Sequence, residues 1–120
     1  MGTSLNKNLQ LQFLKAIEEK KSYTSEFKKV ASDIIDGLGK MDHNGYSLSV
    51  YNYPDEDMLE IACLKYETKP RKGIFIVFEL ENGNPTVQVN IAHNLEYRLF
   101  KEAANTKPIL EFISDSFKHI

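Results

Sequence analysis

The dipeptide Asn82-Gly83 constrains this chain more than any other feature. Asn and Gly both tolerate positive φ, which a type I′ turn demands at its two central positions, and that turn matches the twist of paired antiparallel strands. Folding the chain back there sets Phe78 opposite Val87, Ile76 opposite Val89 and Ile74 opposite Ile91. All three pairs are apolar and share one face. A slip of one residue would turn the whole set to the other face, so the register has one good solution. Pro85 falls opposite Leu80, at a pair that exchanges no backbone hydrogen bonds. The missing proline N–H then points away from the hairpin, and the spacing predicts that this last strand is a sheet edge.

An earlier hairpin has the same logic. Pro54-Asp55-Glu56-Asp57 has turn chemistry, and folding about it puts Val50 opposite Ile61 and Leu48 opposite Cys63. The polar stretch from Glu67 to Gly73 joins the two hairpins. The expectation is a four-stranded antiparallel meander in the order 1-2-3-4, with one buried face running from Leu48 and Val50 to Val89 and Ile91.

Helical spacing flanks the meander. Leu9, Phe13, Ala16 and Ile17 share one helical face, and Phe27, Val30, Ala31, Ile34, Leu38 and Met41 share another. One continuous helix over residues 5–41 would be about 55 Å long, too long for so small a unit. The cap formers Ser22, Thr24 and Ser25 predict two helices, or one bent there, and Lys20 and Lys21 suit a helix C-terminus. After the meander, Asn94 can cap a short helix carrying Leu95, Leu99 and Phe100, with an extended segment as the alternative. Asn105 or Thr106 then caps a last helix burying Ile109, Ile113, Phe117 and Ile120. Residues 1–120 therefore read as one α+β domain: N-terminal helices, the meander, and C-terminal helices.

Composition excludes several classes. Fifteen basic against 17 acidic side chains leave a net charge of −2, without the bulk field of a nucleic-acid or membrane binder. No apolar run approaches the ~18 residues of a membrane span. The polar opening residues lack a signal peptide's apolar stretch, and a lone cysteine fits a reducing compartment, so a cytoplasmic location is expected. The charge is unevenly placed, however. Residues 46–92 carry four basic and seven acidic side chains, so the meander is the acidic part of the chain.

The same registers define the second face of the sheet. Tyr51, Tyr53, Met58, Leu64 and Phe75 lie on it, with Ala62 and Val77 near its centre and Ser47, Ser49, Thr86, Gln88 and Asn90 on the outer strands. An apolar centre inside a polar rim is the composition of many protein interfaces. Either the C-terminal helix crosses this face or a partner does. The turn residues Asp55, Glu56 and Asp57 would steer a basic partner, unless they are simply a solvated turn.

A different chemistry is carried by Lys65, Lys69, Arg71 and Lys72 with Tyr66, where cations could track phosphates while aromatics stack bases. Against it stands the acidic balance of the neighbourhood, including Glu60, Glu67, Glu79 and Glu81.

No constellation of catalytic residues emerges. His43, His93 and His119 have no metal-ligand spacing to one another or to Cys63. Cys63 falls on the inferred core face, where a thiol is a packing residue. Gly37-Leu-Gly39-Lys40 lacks the Ser or Thr of a phosphate loop and ends a helix. No metal or cofactor is expected, and no enzymatic activity. The expected function is a cytoplasmic protein-binding module, of the inhibitor, immunity or adaptor kind, acting by occlusion through the second sheet face. A homodimer through that face would need no foreign partner, and single-stranded nucleic-acid binding is the alternative.

Overall fold

A computed structural model describes residues 7–53, 55–67, 71–101 and 105–119. The order of elements is α1 (Lys7–Glu19), α2 (Ser25–Lys40), β1 (Ser47–Tyr53), β2 (Met58–Lys65), β3 (Lys72–Glu81), β4 (Asn84–Ile91), a single 3₁₀ turn (Ala92–Asn94), β5 (Glu96–Phe100) and α3 (Lys107–His119). The architecture is α+β, built on one five-stranded antiparallel sheet in the order β1-β2-β3-β4-β5.

The hairpin at Asn82-Gly83 forms as its chemistry demands. Both residues have positive φ (53° and 82°), and Phe78↔Val87, Ile76↔Val89 and Ile74↔Ile91 are the observed pairs. The first hairpin pairs Val50 with Ile61 and Leu48 with Cys63. A second Asn-Gly dipeptide, Asn44-Gly45, also has positive φ at both residues and turns the chain from α2 into β1. Tyr46 N–H donates to the His43 carbonyl across that turn.

Two expectations are corrected. Among the described residues the sheet has five strands, not four, and the C-terminal segment holds a single helix, α3. Residues 96–100, expected as part of a short helix with an extended segment as the alternative, take the extended form as strand β5. The reason is tertiary. The outward backbone groups of β4 need partners beside a buried core, and local helical spacing of Leu95 and Leu99 cannot supply them. Consequently β4 is not an edge, as Pro85 had suggested. The described pairing of β4 with β5 runs from Val87 to Ile91, so Pro85 lies outside it and its missing N–H interrupts none of those bonds.

The N-terminal segment is two helices. Thr24 is the N-cap of α2, its hydroxyl accepting from Phe27 N–H at 3.1 Å. At α3 the Asn105 side chain accepts from Lys107 N–H, and the Thr106 carbonyl accepts from Leu110 N–H. All three helices pack on the same side of the sheet. Phe13 and Ile17 of α1, Ile34 and Leu38 of α2, and Ile109, Ile113 and Phe117 of α3 share one core with Leu59, Ile61, Cys63, Ile74, Ile76, Phe78, Val87, Val89 and Ile91. Gly37 allows α2 and α3 to approach closely, because a Cβ there would sit 2.6 Å from a methyl of Leu110.

Candidate functional site

Because every helix lies on the core side, none crosses the second face. Strand alternation places five rows of side chains there. One row runs Ser49, Ala62, Phe75, Asn90, Tyr97; the next runs Tyr51, Glu60, Val77, Gln88, Leu99. Phe75 and Val77 of the central strand thus stand in the middle, flanked by Ala62 on β2 and by polar Asn90 and Gln88 on β4. Tyr51 is 50% exposed and Tyr97 65% exposed at the two margins. Met58, Leu64, Phe75 and Val77 are half-buried, although no helix of the described residues covers them.

Gly73, paired with Leu64 near one end of β3, shapes the surface beside Phe75. A Cβ at Gly73 would sit 3.0 Å from the Phe75 ring and 3.3 Å from a Leu64 methyl, so these two side chains lean over the bare backbone from two strands. They form one apolar patch because the residue between them has no side chain. Beside the patch, Tyr53 donates its hydroxyl hydrogen bond to Glu60 at 3.1 Å. That bond and the neighbouring carboxylate raise the Tyr53 pKa above the ordinary phenol value. Glu60 and Glu79 keep the face acidic, with Glu79 set between Met58 and Thr86.

The acidic turn has an architectural partner that its sequence does not disclose. Lys20, read as a helix-terminal cation, is buried at 6% exposure and donates through Nζ to the carbonyls of Tyr53 and Glu56. Ser22 donates to the Asp57 carboxylate, and Tyr23 donates to the carbonyl of Phe78 at 2.6 Å. The α1–α2 connection therefore clamps the β1–β2 turn. Burial lowers the Lys20 pKa, and the carboxylates of Asp57 and Glu56 offset part of that. Asp55, Glu56 and Asp57 are exposed at one end of the open face.

Of the basic set, Lys65 and Lys72 lie on strands and Arg71 in the connection between them. Lys65 and Lys72 pair with each other and have the parity of the core face, and Lys65 Nζ lies 5.6 Å from the Tyr46 ring centroid. Arg71 instead stacks on Tyr66, 5.3 Å from its ring centroid. Lys69 lies outside the described residues.

The histidines and the cysteine have structural surroundings. His43 is buried, donates through Nε2 to the Leu38 carbonyl at 2.6 Å, and packs against the Phe117 ring. It closes the C-terminal end of α2, where carbonyls lack helical partners. His93 accepts at Nδ1 from Gly73 N–H at 3.1 Å, and burial holds its pKa below the ordinary imidazole value. The His119 side chain lies outside the described residues. Cys63 is fully buried, and burial pushes its thiol pKa well up. Among the described residues, no three or more His, Cys, Asp or Glu side chains gather where they could hold a metal ion.

Sequence reasoning did not assign Tyr97 and Leu99 to the face, because it read that segment first as a short helix, with extended backbone only as the alternative. The alternation of Tyr97 and Leu99 with Arg98 and Phe100 is the signal that identifies a strand there. The clamp by Lys20 has no local sequence signature, since its acceptors are main-chain carbonyls 33 and 36 residues away.

No family model, curated protein or solved structure matches this chain. No helix among the described residues is long and apolar enough to cross a membrane.

Proposed function

We propose that this chain is a cytoplasmic protein-binding module, of the inhibitor, immunity or adaptor kind, that occludes a partner with the open face of its sheet. The observation that carries this reading is the semi-apolar face left bare by all three helices. A solvated antiparallel face is mostly polar, whereas here Leu64, Phe75, Val77 and Met58 lie together with Tyr51 and Tyr53 at the margin. Apolar anchors at the centre of a polar rim are where binding energy concentrates in protein interfaces.

The electrostatics indicate the kind of partner. Glu60 and Glu79 stand within the face, and Asp55, Glu56 and Asp57 lie at its end. An acidic rim raises the encounter rate with a basic protein surface and disfavours a phosphate backbone. The clamp from Lys20, Ser22 and Tyr23 holds the turn in place before contact, so less ordering remains to be done on binding.

Size-exclusion chromatography with light scattering, applied to wild type and Phe75→Asp, tests the reading. The aspartate should abolish capture of a protein partner while leaving the circular dichroism spectrum intact. Partner capture and oligomeric state that both ignore Phe75→Asp would overturn it. Weak, salt-sensitive retention of single-stranded oligonucleotides that depends on Arg71 would favour the nucleic-acid alternative.

A further inference from the structure

We propose that β5 is a homodimerisation edge, at which two copies of this chain join their sheets about a twofold axis through Tyr97. This surface is separate from the open face and does not depend on the function proposed for it.

The hydrogen-bonding phase of the sheet is set at the Asn82-Gly83 turn. A two-residue turn makes its flanking pair, Glu81 and Asn84, exchange backbone hydrogen bonds, and the alternation then propagates across the sheet. On β4 the odd-numbered residues Val87, Val89 and Ile91 direct their backbone groups toward β5. Their partners there are Phe100, Arg98 and Glu96. It follows that Tyr97 and Leu99 direct their N–H and C=O groups outward from the sheet. Among the described residues no further strand pairs with that edge.

The side chains at this edge are unusually bare. Leu95 is 95% exposed and Tyr97 65% exposed, and β5 is buried only at Phe100, with Leu99 half-buried. Natural edge strands are commonly protected by lysine, proline, a bulge or inward-facing charges, and β5 contains neither lysine nor proline. What it does contain is one acidic and one basic residue, Glu96 and Arg98, two positions apart on the same side of the strand.

Those two charges select both the partner and the register. A second copy pairing antiparallel must place outward-facing residues opposite outward-facing residues. Centring on Arg98 sets the two arginines face to face, and centring on Glu96 sets the two glutamates face to face. Centring on Leu99 sets Arg98 opposite Phe100. Centring on Tyr97 sets Glu96 of each copy opposite Arg98 of the other, at pairs that exchange no backbone bonds and bring side chains closest. The two Tyr97 residues then exchange backbone hydrogen bonds at the axis. Such a contact is self-complementary, as a twofold interface must be.

The charges are held ready for it. Asn94 Nδ2 donates to the Glu96 carboxylate at 3.4 Å, and the Arg98 guanidinium lies 4.9 Å from the Phe100 ring centroid and 5.6 Å from that of Phe112. The joined sheet would carry ten strands, with both open faces on the same side.

Sedimentation velocity over a concentration series tests the proposal with wild type, Glu96→Arg, Arg98→Glu, and an equimolar mixture of the two variants. Wild type should show a monomer–dimer equilibrium. Each variant alone should weaken its dimer at least about tenfold, because like charges then face each other twice. The mixture should restore dimer, since one variant supplies two arginines and the other two glutamates. Glu96→Arg leaves the Arg98 stack on Phe112 in place, so its loss of dimer cannot be assigned to lost packing. Phe75→Asp should leave the dimer unchanged. A wild type that stays monomeric throughout, a dimer indifferent to both charge reversals, or a dimer dissolved by Phe75→Asp would each overturn the proposal.

Discussion

Replacing Tyr23 by phenylalanine removes one oxygen atom from the junction that ties the helices to the sheet. Tyr23 is buried at 4% exposure, its ring packs on Phe27 with centroids 4.7 Å apart, and its hydroxyl donates to the Phe78 carbonyl at 2.6 Å. Phenylalanine keeps the ring contact and leaves no cavity, so the loss is that of one buried neutral hydrogen bond, about 1–1.5 kcal/mol. For a chain of this size that lowers the melting temperature by about 4–6 °C. A second consequence appears at high pH. Burial, with the charges of Asp57 and Glu79, raises the Tyr23 pKa well above the ordinary phenol value of about 10. An acid whose folded pKa is raised contributes stability that is fully present below its unfolded pKa and is lost as pH climbs above it. From about pH 10 upward the unfolded chain releases this proton and the folded chain does not, which costs up to about 1.4 kcal/mol per pH unit. Urea denaturation near neutral pH and at about pH 11 reads both effects. Tyr23→Phe should start less stable than wild type and then lose stability more slowly as pH rises. A neutral-pH loss below about 0.3 kcal/mol, with an alkaline slope equal to that of wild type, would refute the assigned hydrogen bond.

Three further outcomes are expected. Leu95 sits in the left-handed region at φ 54° with its side chain in solvent, so Leu95→Gly should relieve backbone strain and stabilise the fold by about 0.5–1 kcal/mol; destabilisation in urea would contradict this. Cys63 should resist a thiol reagent in the native protein and react at the rate of unfolding, whereas rapid stoichiometric labelling would show that the core face is open. Burial depresses the His93 pKa, so its contribution is present above about pH 6.5 and is lost as pH falls, when the unfolded chain takes the proton first. His93→Gln should therefore lose less stability than wild type between about pH 7 and pH 5, and matching pH dependences would remove that role.

The hairpin registers were legible because turn chemistry and apolar alternation agree. Asn82-Gly83 closes the strands where Phe78, Ile76 and Ile74 meet Val87, Val89 and Ile91, and no other register buries all six. The open face was legible for the same reason, since residues that alternate with a fixed core set must share the other side. Strand β5 was legible only as an alternative. Alternation about Arg98 marks an extended segment while Leu95 and Leu99 keep helical spacing, and the deciding influence is the unpaired edge of β4, which is remote from any local window. The side of the sheet taken by α3 was likewise hidden, because an amphipathic stripe such as Ile109, Ile113 and Phe117 records that a face is buried and not against what. Lys20 and His43 illustrate a third kind of silence. Both act on main-chain carbonyls, which every residue possesses, so their partners leave no trace in side-chain identity.

The central claim is that the bare sheet face, rather than the helical side, is what this protein presents to a partner. Site-specific photo-crosslinking in the native host addresses it most directly. A photoactivatable phenylalanine at position 75 stands at the centre of the open face, and one at Lys15, exposed on α1, stands on the opposite side of the molecule. Illumination should give a discrete adduct with one protein species from position 75 and none from position 15. A discrete adduct from position 15 with none from position 75 would contradict the account, placing the working surface on the helices.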